Sequence, residues 1–155
     1  MALRLILTQT HGAAMLVSQV LAAKGGEVFT ASGEQTLEAI AAILWSRRIG
    51  ALVVMEDDRV IGIVSERDLV RTVAERGPGG LTRAVREVMT RDVILAAPSD
   101  SVDHVLAQMT DRRIRHLPVC HEHRLVGMVS IGDLVKIRID ETQAEAEHLR
   151  AYIAS

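Results

Sequence analysis

The chain has 155 residues, of which 48% are hydrophobic and only 2% aromatic, so it can bury an aliphatic core and is not intrinsically disordered. Acidic and basic residues are mixed along the sequence and the formal net charge is −2, which argues against a nucleic-acid-binding groove. The single cysteine, Cys120, excludes an internal disulfide, and no apolar run approaches the ~20 residues that span a bilayer. We therefore expect a cytoplasmic protein that engages neither nucleic acid nor a membrane.

The first segment, residues 1–13, carries one arginine and a brief apolar run that is broken by Thr-Gln-Thr-His. This pattern makes a poor signal peptide, so we expect either a start codon assigned too early or a loosely held N-terminal extension. The segment SQVLAAKGG (18–26) follows. A short predicted helix, TRAVREVM (82–89), takes the equivalent place later in the chain, after a loop rich in glycine and proline.

The sequence from 28 to 70 recurs sixty-five positions later without a gap. GIVSERDLV at 62–70 matches GMVSIGDLV at 127–135, and the tripeptide Arg-Arg-Ile at 47–49 recurs at 112–114. A gapless register over about forty residues indicates duplication of one supersecondary unit, and such units usually share a core.

Both copies predict the same order of elements. A short strand, EVFTAS or DVILAAPS, ends in turn-forming residues and leads to an amphipathic helix, which Thr36 or Ser101 can cap. A buried strand, a hairpin turn and a return strand follow, and a second helix begins at the serine of a Ser-x-x-Asp motif. We therefore predict an α/β fold of tandem pseudo-symmetric β-α-β-β-α repeats, with two small sheets flanked by helices.

These elements divide the chain into five predicted segments. They are an N-terminal extension at 1–13, a first repeat at 16–76, a linker at 77–80, a second repeat at 81–139 and a C-terminal amphipathic helix at 140–155.

The C-terminal segment has apolar or small residues at alternating four- and three-residue steps, which predicts a helix with a narrow seam. The seam residues are Val135, Ile139, Thr142, Ala146, Leu149 and Ile153. The seam could pack on its own module or on a second subunit. We favour the second subunit and therefore predict a homodimer.

Each repeat closes on Gly-hydrophobic-hydrophobic-Ser-x-x-Asp-hydrophobic, and REVMTRDVI (86–94) precedes the second repeat. The tandem β-α-β-β-α pattern with this ending resembles the CBS domain, named for cystathionine beta-synthase, and the Met-Thr segment resembles the lead-in common before such repeats. The resemblance covers residues 16–139. It implies a CBS pair whose cleft binds an adenine nucleotide such as AMP, ATP, NAD(H) or S-adenosylmethionine, with no metal required, and which pairs into a dimer.

The two Ser-x-x-Asp corners allow two interpretations. Ser65 with Asp68, and Ser130 with Asp133, have the spacing of capping boxes, in which each side chain bonds the backbone N–H of the other residue. The same geometry suits a nucleotide, because free helix N–H groups bind phosphate and a carboxylate accepts from ribose hydroxyls. By resemblance, the aspartates take the ribose role and the serines contact phosphate.

The resemblance implies further binding positions on the strands and at the start of the first corner's helix. They are Thr30, Gly50, Ala51, Arg67, Leu95, Arg115, His116 and Pro118. Arg67 stands where the second copy has Gly132, and Pro118 stands where the first copy has Val53, so we do not expect equal ligand affinity at the two corners. Arg67 could equally be a solvated side chain, and one of Arg115 and His116 could simply pack.

The remaining motifs give weaker signals. Cys120 to His123, "CHEH", falls on a predicted hairpin turn and lacks the four well-spaced donors of structural zinc, so we predict no metal site. Trp45 and Met109 are predicted to fill the core. No nucleophile elbow, phosphate loop or pair of catalytic carboxylates is found in the sequence, so we do not expect an enzyme.

The sequence thus predicts a regulatory module that binds an adenine nucleotide. It would sense adenylate level or redox state and signal to a partner protein that the sequence does not identify. The alternative is a structural dimerisation module whose clefts stay empty or hold only ions. The choice among AMP, ATP and NAD(H) stays open.

Overall fold

The structure is a computed structural model and describes residues 14–155. The predicted extension at residues 1–13 lies outside the described residues. The described part is mixed α/β, as predicted. Its α-helices are α1 (Val17–Lys24), α2 (Leu37–Arg47), α3 (Glu66–Arg76), α4 (Val102–Arg112) and α5 (Ile131–Ala154). Its strands are β1 (Thr30–Ser32), β2 (Ala51–Glu56), β3 (Arg59–Ser65), β4 (His116–His121) and β5 (Arg124–Ser130).

The chain divides into two compact units. The first unit comprises residues 27–95 and 118–127, and the second comprises the described residues 14–26, 96–117 and 128–155. Among the described residues, we find no helix that is both long and apolar enough to cross a membrane.

The first unit contains a three-stranded sheet in the order β1-β2-β3. Strand β1 runs parallel to β2, with Thr30 opposite Val53, and β2 pairs antiparallel with β3. Below the sheet, aliphatic side chains from α2, β2 and β3 form one buried cluster. Its central members are Leu37, Ile40, Leu44, Leu52, Val54 and Val64. This cluster fixes the position of the first Ser-x-x-Asp corner, because β3 leads directly into α3.

The hairpin turns predicted in both copies are present. Asp57 and Asp58 have φ of 47° and 61°, and Glu122 and His123 have φ of 50° and 64°. Two consecutive residues with positive φ make a two-residue turn whose twist matches that of the flanking strands. The "CHEH" segment therefore includes the two turn residues of this hairpin, and the described residues contain no group of three or more His, Cys, Asp or Glu that could hold a metal.

The predicted first strand of the second copy, DVILAAPS (92–99), does not form a strand. Within the described residues, the second sheet consists of β4 and β5. In the first copy Thr30 pairs with Val53, and the equivalent positions in the second copy are Leu95 and Pro118. Proline has no N–H to donate to a neighbouring strand, so the substitution of proline for valine removes a ladder bond at this point.

The helix boundaries explain part of the repeated sequence. Thr36 Oγ1 accepts from Ala39 N at 3.2 Å, and Ser101 Oγ accepts from His104 N at 3.1 Å, so both predicted caps are confirmed. At the other ends, Arg48 and Arg113 both have φ of 54° and close their helices in the left-handed conformation. The repeated Arg-Arg-Ile therefore marks a shared helix ending.

The linker segment contains more helix than the sequence predicts, and the lead-in segment contains less. Residues Pro78–Thr82, predicted as a loop, form a short 3₁₀ helix, whereas the predicted helix TRAVREVM keeps only one 3₁₀ turn at Val85–Glu87. Helix α5 is continuous from Ile131 through residue 140 to Ala154.

One of the two predicted core residues is misplaced. Met109 is buried, but the side chain of Trp45 is 87% exposed. Trp45 lies on α2 outside the face that carries Leu37, Ile40 and Leu44, which are all buried. Its large apolar area is therefore presented to solvent.

The second unit is held together by backbone bonds and by an aliphatic core. Val17 N donates to the Asp100 carbonyl at 2.9 Å, and Val102 N donates to the Met15 carbonyl at 2.8 Å, so the start of α1 is tied to the start of α4. The buried side chains of this unit include Val17, Val20, Val102, Val105, Met109 and Leu134. The second Ser-x-x-Asp corner opens helix α5 within this unit.

Candidate functional site

The first corner lies where β3 passes into α3. The Asp68 carboxylate reaches back and accepts from Ser65 N at 2.8 Å and from the Ser65 hydroxyl at 3.2 Å, both through Oδ2. Its other oxygen, Oδ1, accepts from Arg71 at 2.8 Å. The Asp68 side chain is only 8% exposed. Both carboxylate oxygens of this corner thus already have partners within the first unit.

The second corner lies where β5 passes into α5. Asp133 Oδ2 accepts from Ser130 N at 2.8 Å, and Ser130 Oγ accepts from Asp133 N at 3.2 Å, which completes a reciprocal capping box. The capping interpretation of the sequence is therefore confirmed in full at the second corner, whereas at the first corner Asp68 accepts from Ser65 N but the Ser65 hydroxyl donates to the carboxylate. It does not exclude ligand binding, because a carboxylate has about four acceptor positions and the cap uses few of them.

A lysine that the sequence analysis missed joins the second corner. Lys24, the last residue of α1, donates from Nζ to Asp133 Oδ2 at 2.7 Å and to the Met128 carbonyl at 2.7 Å. We find no hydrogen bond to Asp133 Oδ1 from any residue in 14–155, and the Asp133 side chain is 26% exposed. The second corner therefore presents a partly exposed carboxylate that is held through Oδ2.

The environment of Asp133 lowers the pKa of its carboxyl group. Burial alone would raise that pKa, but hydrogen bonds from Lys24 and from the backbone of Ser130, together with the charge of Lys24, outweigh the burial. The carboxyl group is therefore ionised at neutral pH and can accept hydrogen bonds from hydroxyl groups.

Backbone bonds bring two predicted residues to these corners. Glu66 N, at the start of α3, donates to the Gly50 carbonyl at 3.0 Å, and Ile131 N, at the start of α5, donates to the Arg115 carbonyl at 2.8 Å. Gly50 and Arg115 are equivalent positions in the two copies. The structure therefore places the segment before each middle strand against the first helix turn of its own corner.

The other predicted site residues differ in exposure. Thr30, Arg67, Leu95 and Arg115 are exposed, His116 is half-buried, and Ala51 and Pro118 are buried. The Arg67 and Arg115 side chains form no ion pair within the described residues, which leaves them available to an anionic ligand. Buried Ala51 and Pro118 can offer only backbone or apolar contact.

A groove of about 790 Å³ opens on the first unit. It is bordered by α2, the residues that follow it and the first turn of α3, and its lining includes Trp45, Arg48, Glu66, Leu69 and the predicted site residue Gly50. Neither Ser65 nor Asp68 lines it, so the groove includes Gly50 but not the carboxylate of the corner.

Sequence comparison decides the family. A family model described as the CBS domain matches residues 18–75 and 85–140. The chain belongs to the CBS domain family. The resemblance predicted from the repeated Ser-x-x-Asp ending is thus confirmed.

Relatives and solved structures agree with this assignment. The CBS domain-containing protein CBSX3, mitochondrial, of Arabidopsis thaliana is 33% identical over 146 residues, which cover 88% of this chain and 71% of that protein. The crystal structure of the CBS-domain protein ATU1752 from Agrobacterium tumefaciens has a TM-score of 0.78 and 39% identity, and the match covers 83% of this chain and 96% of that one.

A third comparison concerns a ligand complex. The CBS domain pair of protein MJ0100, solved with 5′-methylthioadenosine and S-adenosyl-L-methionine, has a TM-score of 0.75 and 26% identity to this chain. The match covers 83% of this chain and 99% of that pair. In that structure, adenosine-containing ligands are bound to a CBS domain pair.

Proposed function

We propose that the protein is a regulatory module that binds an adenine nucleotide at its Ser-x-x-Asp corners. The observation that carries the proposal is the second corner, where Asp133 is ionised, held through Oδ2 and partly exposed, and where no residue in 14–155 bonds its Oδ1. The adenosine ligands of the MJ0100 pair support the class of ligand. AMP, ATP and NAD(H) all carry the ribose diol and the phosphate that such a corner can recognise.

The corner residues would divide the recognition among them. The aspartate carboxylate accepts from the 2′- and 3′-hydroxyls of ribose, and it distinguishes ribose from deoxyribose because the missing hydroxyl would leave an acceptor unpaired. The serine hydroxyl and the exposed N–H groups of the first helix turn suit a phosphate. Arg67 at the first corner and Arg115 at the second would add charge-assisted bonds to phosphate.

The proposed output is a signal and not a reaction. The proposal needs no metal and no catalytic group, and it assigns to the protein the task of reporting adenylate level or redox state to a regulated partner in the cytoplasm. By linkage, nucleotide binding can regulate a partner only if the partner binds the nucleotide-bound and nucleotide-free forms of the protein with different affinities.

A second candidate function is a structural dimerisation module. The observation that favours it is the exposed apolar surface of the helices, to which Trp45, Val70, Ile139, Leu149 and Ile153 contribute. An apolar surface of this kind commonly marks a protein interface. We propose a homodimer in both cases, so the two candidates differ only in whether the corners bind a nucleotide.

Thermal unfolding with a ligand panel separates the two candidates. AMP, ATP, NADH and adenosine are each tested against the full chain, with inorganic phosphate as the control. A ligand at one hundred times its dissociation constant adds ~2.7 kcal/mol to the free energy of unfolding. A shift with at least one nucleotide and none with phosphate supports the proposed function. No shift with any nucleotide at millimolar concentration overturns it in favour of the structural module.

A further inference from the structure

Lys24 takes the place of a backbone bridge that the first copy has and the second lacks. In the first copy, the Ile63 carbonyl accepts from Thr90 N at 2.9 Å. The equivalent carbonyl in the second copy belongs to Met128, and it accepts from Lys24 Nζ instead. In the register that aligns the two copies, the residue equivalent to Lys24 is Met89, which carries no charge. The lysine is therefore particular to the second corner.

The two corners also balance their carboxylate charge from different directions. Asp68 pairs with Arg71, three residues further along the same helix, and this pair occupies Oδ1. Asp133 pairs with Lys24, which comes from helix α1 and bonds only Oδ2. A cation on the helix itself bonds Oδ1 of the first carboxylate, whereas the cation at the second corner comes from another helix and bonds Oδ2.

We propose that Lys24 is a positioning residue that makes the second corner the stronger ribose-binding site, an inference that rests on the proposed nucleotide-binding function. Lys24 and Ser130 N hold Oδ2 from two directions, which fixes the carboxylate plane. Fixed in this way, Oδ1 meets a ribose hydroxyl without first losing side-chain freedom, and preorganisation of this kind increases affinity. The lysine does not itself contact the sugar in this proposal.

Calorimetric titration of the full-length chain tests the inference with two probes, adenosine and 2′-deoxyadenosine. In Lys24→Met we expect adenosine to bind up to about tenfold more weakly, because the carboxylate then loses its side-chain freedom only on binding. The preference for adenosine over 2′-deoxyadenosine should shrink as well, because an unfixed carboxylate discriminates less between the two sugars. Lys24→Arg should recover part of both quantities, since it keeps the charge.

Arg150→Met is the matched control. It removes the same charge from an exposed position near the end of helix α5, more than four helix turns beyond Asp133, where we find no ion pair for Arg150 within the described residues. Adenosine affinity in this variant should stay within about twofold of the wild type, because the loss of a distant solvent-exposed charge is largely screened. If Lys24→Met does not fold, Lys24→Gln replaces it, because Gln can still donate to the Met128 carbonyl but carries no charge.

The outcomes separate the inference from the function on which it rests. A wild-type chain that binds no adenine nucleoside or nucleotide overturns the proposed function itself. A wild-type chain that binds adenosine, with affinity and sugar preference unchanged in Lys24→Met, overturns only the role of Lys24. Tighter binding in Lys24→Met also overturns it, since the lysine would then block the corner.

Discussion

The seam of helix α5 should hold two copies of the chain together. Its apolar residues keep large exposed fractions within a single chain, among them 63% for Leu149 and 82% for Ile153. A seam that repeats every 3.5 residues on average suits a partner helix. We therefore expect the double substitution Leu149→Ser and Ile153→Ser to weaken the proposed homodimer.

The exposed fractions set the size of the effect. Complete burial of a leucine or isoleucine side chain is worth about 1.5–3 kcal/mol. Scaled by the fractions that are still exposed, each residue would contribute roughly 1–2 kcal/mol on association, and two chains contribute four side chains. Immobilisation of the helices offsets part of this gain. Even a net loss of about 1.4 kcal/mol raises the dimer dissociation constant tenfold, so we expect a tenfold increase or more.

Sedimentation equilibrium over a dilution series measures the constant. The matched control carries Ala144→Ser and Ala151→Ser, which place the same new residue at exposed positions of α5 off the seam, and it should dimerise like the wild type. An unchanged constant in the seam variant would refute the role of the helix. A full-length chain that is monomeric at micromolar concentration would refute the homodimer altogether.

Three further predictions concern stability and the two corners. A Cβ added at Gly62 would lie 2.5 Å from Met89 Sδ, so Gly62→Ala should lower the free energy of unfolding by about 1–3 kcal/mol, as measured by urea titration. Gly79→Ala is the control and should lower it much less, because its Cβ would meet nothing within 4 Å. Asp133→Asn should weaken adenosine binding more than Asp68→Asn, and an equal or reversed order in calorimetry would contradict the assignment of the second corner as the stronger site. The folded pKa of Asp133 lies below its ordinary value near 3.9, so its charge stabilises the fold above about pH 4, and this contribution is lost as the pH falls through the lower folded pKa. The loss of stability in Asp133→Asn should therefore become smaller on acidification. A loss that is constant with pH would show that the carboxylate charge does not contribute.

The corners could be predicted from the sequence because their geometry is local. A serine and an aspartate three residues apart at a helix start lie close enough for the aspartate to accept from the serine N–H and for the serine hydroxyl to bond the helix N–H or the carboxylate. Ser65 with Asp68 and Ser130 with Asp133 therefore needed no knowledge of the rest of the chain. The Asp68–Arg71 ion pair could have been found by the same reasoning, since residues three apart on a helix are neighbours.

Features that depend on distant residues could not be predicted in this way. The strand DVILAAPS has good strand composition, but strand formation requires a neighbour that can donate, and Pro118 cannot. The residue type of Trp45 predicts a place in the core. Its exposure follows from its position on α2, away from the face that carries Leu37 and Ile40. Composition indicates that a residue can be buried, and only the packing decides whether it is.

Lys24 shows why a sequence repeat is an unreliable guide to charge at a site. Lys24 lies more than one hundred positions before Asp133, and the register that aligns the two copies pairs it with Met89. Comparison of the copies therefore predicts no cation there. The lysine is needed because the Met128 carbonyl lacks the backbone N–H that bonds the equivalent Ile63 carbonyl in the first copy.

The difference between the corners follows from how that carbonyl is satisfied. In the first copy the bridge between Ile63 and Thr90 uses backbone groups alone, and Asp68 forms its ion pair with Arg71 on its own helix. In the second copy the lysine that satisfies Met128 has further N–H groups, and one of them bonds Asp133. The lysine in this supporting segment, together with the replacement of Arg71 by Lys136 at the equivalent helix position, thus changes which carboxylate oxygen has a cationic partner, while the Ser-x-x-Asp motif stays the same. Two copies of one motif can therefore bind the same ligand with different strength without any change in the motif itself.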